Sequence, residues 1–427
     1  MSPREDDAAR PAGSRKVTVA WFIVILLIAS CLRPALTSIG PVLEQMGSDT
    51  GLNAAGLGML GALPLFAFAL LSPLVSVPAQ RLGIERVLLV ALVVLGLGIL
   101  ARSTPGIALL WIGTLCIGAG IATANVLVPV IVKRDFSRYI SVMTGLYTAV
   151  VSVSAGLSAG LTAPLAASLP GSWRAALALW AIIPLACAIW WAFLIRGPRS
   201  ERGRSGAKRL SVAEAVTGAM PAVASTAEPL ASRKVSLLRS PIAWQVTVFM
   251  GIQSIIFYTM STWLPGMEAE IGNDAALAGW HMFTMQIVGI AGNLSVSLLA
   301  ERWRSQSWLA MVLAGCLVVG TAGALAAPQA AIVWVGLAGI GCGGSFSLSL
   351  AMIGLRTSNP AQTMRLSGMA QCLGYLMAAA GPLLTGWIAE TTGTWATVLW
   401  GLLALVSIQF VAGALAGRNR KIGEPAA

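Results

Sequence analysis

Apolar runs as long as a bilayer is thick follow one another along nearly the whole chain. A helix needs about 20 mostly apolar residues to cross the hydrocarbon layer. Twelve stretches meet that need, near 17–43, 55–77, 86–103, 106–132, 140–165, 173–195, 242–265, 276–299, 307–327, 330–355, 366–389 and 394–416. The runs are continuously apolar and rich in Leu, Ala and Gly, whereas barrel strands alternate, so a closed barrel is excluded. Only 10% of the 427 residues are charged, against roughly 25% in soluble domains, which leaves no soluble domain of useful size. The expected fold is an all-α polytopic membrane protein with twelve transmembrane helices.

Charge placement tests that count. With both termini in the cytoplasm, the cytoplasmic segments hold every Lys and Arg except Arg33, Arg102 and Arg174, or 25 of the 28. Cytoplasmic loops carry such an excess, so the expected location is a membrane crossed many times, with both ends on the cytoplasmic side. The net charge of +12 then reads as an orientation signal spread over short loops, and no nucleic-acid partner is expected. The first run is too long for a signal-peptide core. Cleavage at the lipoprotein-like box Ile28-Ala29-Ser30-Cys31 would remove most of the first helix. All six cysteines fall singly inside spans, without metal-ligand spacing, so neither disulfides nor a metal site is expected.

Residues 196–240 form the longest loop, rich in Ser, Ala, Gly and Arg, and read as a flexible cytoplasmic linker. It divides the chain into a tail (1–16), a six-helix bundle (17–195), the linker, a second six-helix bundle (241–416) and a tail (417–427). The halves echo one another. Trp21 and Trp244, Gly118 and Gly341, and Lys133 and Arg356 are each 223 residues apart, and Ala79-Gln80-Arg81 matches Ala300-Glu301-Arg302 at 221. Two pseudo-symmetric six-helix bundles of the same orientation, with a site near midplane between them, are the plan of the major facilitator fold. The loop after the second span resembles that superfamily's signature in Arg81 and Gly83, with Gln80 where the signature has Asp. The second copy keeps Glu301 and Arg302 and loses the glycine. These four residues are candidates for a conformational loop.

Several stretches resemble one branch of the superfamily, the bacterial cyanate and 2-nitroimidazole transporters. They are Leu32-Arg33-Pro34 with Thr37-Ser38-Ile39-Gly40-Pro41, and Asn125-Val126-Leu127-Val128-Pro129 running into Val132-Lys133-Arg134-Asp135-Phe136. Gln253-Ser254, Phe257-Tyr258, Trp263-Leu264-Pro265, Ala278-Gly279, Gln286, Gln371, Gly374-Tyr375-Leu376 and Gly381-Pro382 extend the likeness over nearly the whole membrane region. The resemblance implies a transporter of small molecules in the inner membrane of a bacterial cell, whose members differ in substrate and direction.

The polar residues inside the spans then name a candidate site. A charge in the hydrocarbon layer costs several kcal/mol and is by default a functional hypothesis. Counting from Val17 at about 1.5 Å per residue puts Arg33 roughly 24 Å into a layer about 30 Å thick, with no carboxylate near it in the span. Ser30, Arg33 and Thr37 share one helical face. Pro34 and Pro41 lack N–H groups and free the carbonyls of Ser30 and Thr37. That face suits a small anion, or a nitro or carbonyl oxygen. The alternative has Arg33 snorkelling to the outer headgroups. Asn125 serves a ligand or joins two helices. Gln253 and Tyr258 on span seven, Gln286 on span eight, and Gln371 with Tyr375 on span eleven complete the expected binding set, Tyr258 stacking on a planar solute. Trp263 reads as an interfacial belt residue, and Glu44, Glu268 and Glu390 as solvated helix ends. His281, the single histidine, is the candidate for proton coupling, against a histidine simply packed near the interface.

These features lead to a secondary active transporter, not an enzyme, moving a small planar polar or anionic solute such as cyanate across the plasma membrane by alternating access. Export of a neutral heteroaromatic such as a 2-nitroimidazole is the rival. A membrane sensor that borrowed the scaffold is a remote third reading. The expected partners are a small-molecule substrate, the lipid bilayer and a proton carried at His281. No cofactor is expected, since no phosphate-cradling loop is present, and the chain is expected to act as a monomer.

Overall fold

The computed structural model describes residues 12–72, 74–136, 140–196, 237–300 and 302–423. Nearly all of the expected linker, and Glu301 of the candidate conformational loop, lie outside them. Twelve helices among the described residues are long and apolar enough to cross a membrane. These are spans 1 to 12: Ala20–Thr50, Ala54–Leu71, Ile84–Ser103, Ile107–Val132, Gly145–Ser168, Ser172–Arg196, Pro241–Ala269, Ala275–Leu299, Ser307–Ala326, Pro328–Leu355, Gln362–Thr392 and Trp395–Ala416. Each overlaps the run expected for it.

Local chemistry sets the irregularities. Span 1 is a chain of pieces, Ala12–Ser30, Pro34–Thr37, a 3-10 turn at Gly40–Val42 and Leu43–Thr50. The breaks fall at Pro34 and Pro41, which cannot donate to the preceding turn. Span 2 stops at Leu71, earlier than expected, and a separate helix follows over Ser76–Leu82 with Arg81 in its last turn. Gly83 ends that helix at φ 89°, where a side chain would be strained. Arg81 and Arg302 are both exposed and enter no ion pair among the described residues.

An even number of crossings brings the start of span 1, the end of span 6, the start of span 7 and the end of span 12 to one side, called here the terminal side. The main chain ties that side together: Gln306 N–H donates to Gly417 O (2.8 Å) and Ile422 N–H to Arg356 O (2.9 Å). Arg356 lies just past span 10, buried, and donates from Nε to Ala416 O at 2.8 Å and from Nη2 to Gly417 O at 3.0 Å and to Gln306 Oε1. Burial pushes its guanidinium down to about 10. Arg356→Ala would strand these acceptors, so it should cost about 1–3 kcal/mol, read as a lower melting temperature of the purified protein.

The buried core locates the join between the halves. One cluster belongs almost wholly to spans 1–6, from Val24 to Trp191, and one to the terminal side of spans 7–12, from Leu237 to Ile422. The remaining cluster crosses between halves on the far side, where Ile39, Val42 and Leu60 meet Met260, Trp263, Leu264 and Met282. Close backbone approach explains the seal. A Cβ on Gly58 would fall on Pro382 O, one on Gly279 would fall on Ala159 O, and one on Gly40 would stand 2.5 Å from Ser261 O. Trp263 is part of this seal and not of an interfacial belt. It is 6% exposed, and its Nε1–H donates to Pro382 O at 2.8 Å. A buried indole needs such an acceptor, whereas a belt residue has headgroup water.

A fully buried cation lies within span 3. Arg102, at the far-side end of span 3, is 0% exposed and donates from Nη1 to Ala35 O at 2.7 Å. It grips the broken part of span 1 directly after Arg33-Pro34, while its Nε and Nη2 have no partner among the described residues.

A polar cavity between the halves

Between the two halves lies a cavity of about 370 Å³. Spans 1, 4 and 5 contribute Arg33, Asn125, Tyr147, Thr148 and Ser152. Spans 7, 8, 10 and 11 contribute Gln253, Ser254, Phe257, Tyr258, Gln286, Asn293, Phe346, Ser367, Gln371 and Tyr375. Val132, Leu350 and Ser367 carry the lining toward the terminal side. At the opposite, blind end stand Arg33 and Tyr258. Beyond Tyr258 lies a void of about 10 Å³, walled by Leu36, Ile39, Gly61, Ser261 and Thr262 among others. The cavity is closed on the far side by the seal and leads toward the terminal side.

Seven of the eight residues expected to bind substrate line this space: Arg33, Asn125, Gln253, Tyr258, Gln286, Gln371 and Tyr375. Thr37 does not. It is 1% exposed, and its Oγ1 lies 2.6 Å from Ser158 Oγ and donates to Ala155 O at 2.9 Å. It joins span 1 to span 5. His281 also stands outside the cavity, buried beside Glu268. Glu268 is therefore not a solvated helix end. Glu44 and Glu390 are exposed, as expected.

Arg33 enters at the helix break and reaches span 7. Its Nη1 donates to Tyr258 Oη at 3.1 Å, and its Cζ stands 5.1 Å from the Phe257 ring centre and 5.6 Å from that of Tyr258. Two aromatic faces thus hold the guanidinium, as cation–π geometry requires. Among the described residues no carboxylate pairs with it. A guanidinium has five N–H donors, so most remain to meet a ligand. With its oxygen already accepting from Arg33, Tyr258 has its own O–H left to donate. Asn125 and Gln286 have no hydrogen-bond partner among the described residues, while Gln253 donates to Ser254 Oγ (2.6 Å) and Gln371 to Ser367 Oγ (2.7 Å). Tyr375 packs edge-on against Phe68 at 5.7 Å.

Sequence reasoning missed Tyr147, Thr148 and Ser152 on span 5. The signal was present: Thr148 and Ser152 are four apart, and Tyr147 is one of only four tyrosines, three of which line the cavity. On the terminal side, just past span 4, Arg134 of the Lys133-to-Phe136 stretch bridges Asp135 (2.6 Å) and Glu85 (2.7 Å). Asp135 first, then Glu85, hold its guanidinium above the usual arginine range.

Two six-helix halves around one polar cavity, sealed on one side, define a multi-pass membrane transporter. The sequence model of the Major Facilitator Superfamily matches residues 25–338. The chain is 36% identical to the transporter YycB of Bacillus subtilis (strain 168) over 412 residues, 96% of each chain. It is 37% identical to the 2-nitroimidazole transporter of Escherichia coli (strain K12), covering 96% of this chain and 98% of that one. It is 26% identical to the cyanate transport protein CynX of the same organism, covering 87% and 91%. Among solved structures, the nucleoside transporter NupG shares the fold at a TM-score of 0.72 and 12% identity, covering 94% of this chain and 99% of that one. The chain belongs to the major facilitator superfamily, in the branch that holds these bacterial relatives.

Proposed function

We propose that the protein is a secondary active transporter that carries a small planar anionic or polar solute, cyanate-like in its charge, into the cell. The observation that carries this reading is the Arg33 guanidinium, held between Phe257 and Tyr258 at the blind end of the cavity without a carboxylate partner among the described residues. An anion supplies the missing charge. The amides of Asn125 and Gln286 and the hydroxyl of Tyr258 supply neutral hydrogen bonds around it. The relative named as a cyanate transport protein supports the anion, and the Lys/Arg distribution supports placing the terminal side in the cytoplasm of a bacterial cell. In that orientation the cavity leads to the cytoplasm, and the transport unit is the single chain.

A second reading has an observation of its own. A cavity of about 370 Å³ falls in the range that encloses ring-sized ligands, and Tyr147, Phe257, Tyr258 and Tyr375 offer flat faces. These fit a neutral nitro-heteroaromatic, in line with the relative named as a 2-nitroimidazole transporter.

A thermal-shift screen of purified protein separates the two, because a ligand that binds only the folded state raises its melting temperature. With cyanate, 4-hydroxybenzoate and 2-nitroimidazole as probes, the first reading expects the anions to stabilise wild type and to lose that effect in Arg33→Ala. Stabilisation by 2-nitroimidazole that survives Arg33→Ala and disappears in Tyr258→Ala would favour the second. Wild-type binding and counterflow for every probe in both Arg33→Ala and Tyr258→Ala would overturn both assignments of the site.

A further inference from the structure

The chain has one histidine, and the structure buries it against a carboxylate away from the solute cavity. His281 Nδ1 lies 2.8 Å from Glu268 Oε1 and 2.7 Å from Oε2. Glu268 is 3% exposed and His281 7%, and Asn273 Nδ2–H donates to Glu268 Oε2 at 2.9 Å. We propose that the Glu268–His281 pair is the binding site of a coupling proton, placed in the far-side seal and separate from the solute site. This deepens the transporter reading and rests on it.

Position supports the assignment. Glu268 ends span 7 and His281 lies in the second turn of span 8, and each helix is clamped to the other half close by. On span 7, Ser261 lies under Gly40, and Thr262 Oγ1 would stand 2.7 Å from a Cβ on Gly61. On span 8, Gly279 meets Ala159 O, and the Trp280 ring would stand 3.0 Å from a Cβ on Gly160. The pair therefore bridges the outer ends of two helices that close the far side.

Charge counting gives the coupling. Without an added proton, a neutral imidazole donates Nδ1–H to the carboxylate and the pair carries one net negative charge. A proton on the remaining ring nitrogen makes an imidazolium–carboxylate pair with no net charge. An unbalanced charge is costly in a dry site, whereas a balanced pair is tolerated. A bound proton therefore favours the sealed state over one in which water reaches the pair, and by linkage sealing favours the bound proton.

Other ionisable groups at this end are already engaged or lie in water. Glu270 accepts from Thr394 Oγ1 (3.0 Å) and Trp395 N–H (3.1 Å), and Asp274 caps span 8 through Leu277 N–H at 2.7 Å. Glu390 on span 11 accepts from Ala55 N–H at 3.3 Å. Asp49 holds Trp173 and Arg174, Arg102 is turned to Ala35, and Glu44 is exposed. Among the described residues, His281 is the only base within ion-pair distance of Glu268.

The test uses the full chain in nanodiscs and needs no identified solute. Histidine labelled with 15N gives the two ring-nitrogen signals of one imidazole. Spin labels at Ser48→Cys and Thr391→Cys, exposed on opposite halves at the far side, with the six native cysteines replaced, report whether that side is closed. Between about pH 8 and pH 5, where histidines titrate, wild type should shift roughly tenfold toward the short distance. The imidazole titration and the distance change should share one midpoint. His281→Gln and Glu268→Gln should lose the pH response and keep Arg33-dependent binding of cyanate or 4-hydroxybenzoate. An unchanged pH response in His281→Gln overturns the proposal, and so do wild-type midpoints that fail to coincide, a criterion that holds even if a variant does not fold. Failure of the cavity assignment would appear separately, as anion binding indifferent to Arg33→Ala.

Discussion

Arg33→Ala should weaken binding of a small anion by roughly 30-fold or more and leave the empty protein at least as stable as wild type. Truncating one partner of a desolvated charge pair costs about 2–5 kcal/mol, and each 1.4 kcal/mol is a factor of ten. The second half of the expectation separates a binding residue from a structural one. Arg33 has no carboxylate in the described structure, only the Tyr258 hydroxyl and two aromatic faces. Its removal strands no charge. Arg356 is the contrast, since three acceptors depend on it. Arg33→Lys should recover part of the affinity, because charge remains while the planar fork is lost. Tyr258→Phe should cost about 1 kcal/mol, the net worth of one hydrogen bond. Isothermal titration of wild type and the three variants with cyanate and 4-hydroxybenzoate, alongside ligand-free melting curves, checks every part. A large loss of ligand-free stability in Arg33→Ala would assign the residue to the scaffold.

How much of this was legible in the sequence depends on what each residue's role requires. Membrane crossing is a property of one helix at a time, so the twelve spans and the proline breaks in span 1 could be read directly. Arg33 itself and the amides of spans 4, 7, 8 and 11 were legible too, because a polar residue deep in a span has few places to go except inward. Roles set by a neighbour were not legible. Thr37 shares its helical register with Arg33, yet what lies opposite it is Ser158 of span 5. Glu268 and His281 are 13 residues apart on different helices, and only the turn between spans 7 and 8 brings them together. Trp263 carries the composition of a belt residue, but Pro382 of span 11 supplies the carbonyl that removes it from the interface. Arg102 sits where a loop charge would sit, and its burial follows from the broken backbone of span 1 beside it.

The same seal that buries the histidine makes small residues the controlling feature of the far side, and Gly58→Val with Gly279→Val should jam it open. A Cβ at Gly58 falls on the Pro382 carbonyl and one at Gly279 on the Ala159 carbonyl. Both obstacles are backbone, which has no rotamer to yield. Overpacking of this kind costs about 1–3 kcal/mol at each site, and the sites lie on different helix pairs, so the costs should nearly add. If the protein works by the proposed alternating access, the cost falls on the sealed state, in which spans 2 and 11, and spans 5 and 8, meet. A penalty of a few kcal/mol acting on one of two states shifts their ratio by roughly a hundredfold. Ser261→Cys, 5% exposed when the seal is shut, should react with a membrane-impermeant maleimide many times faster in the double variant. Solute flux should fall to background. Gly401→Ala is the control, since nothing lies within 4 Å of a Cβ there, and it should change neither labelling nor flux. If the double variant folds, transports and stays protected at Ser261→Cys, these glycine contacts do not hold the far side closed.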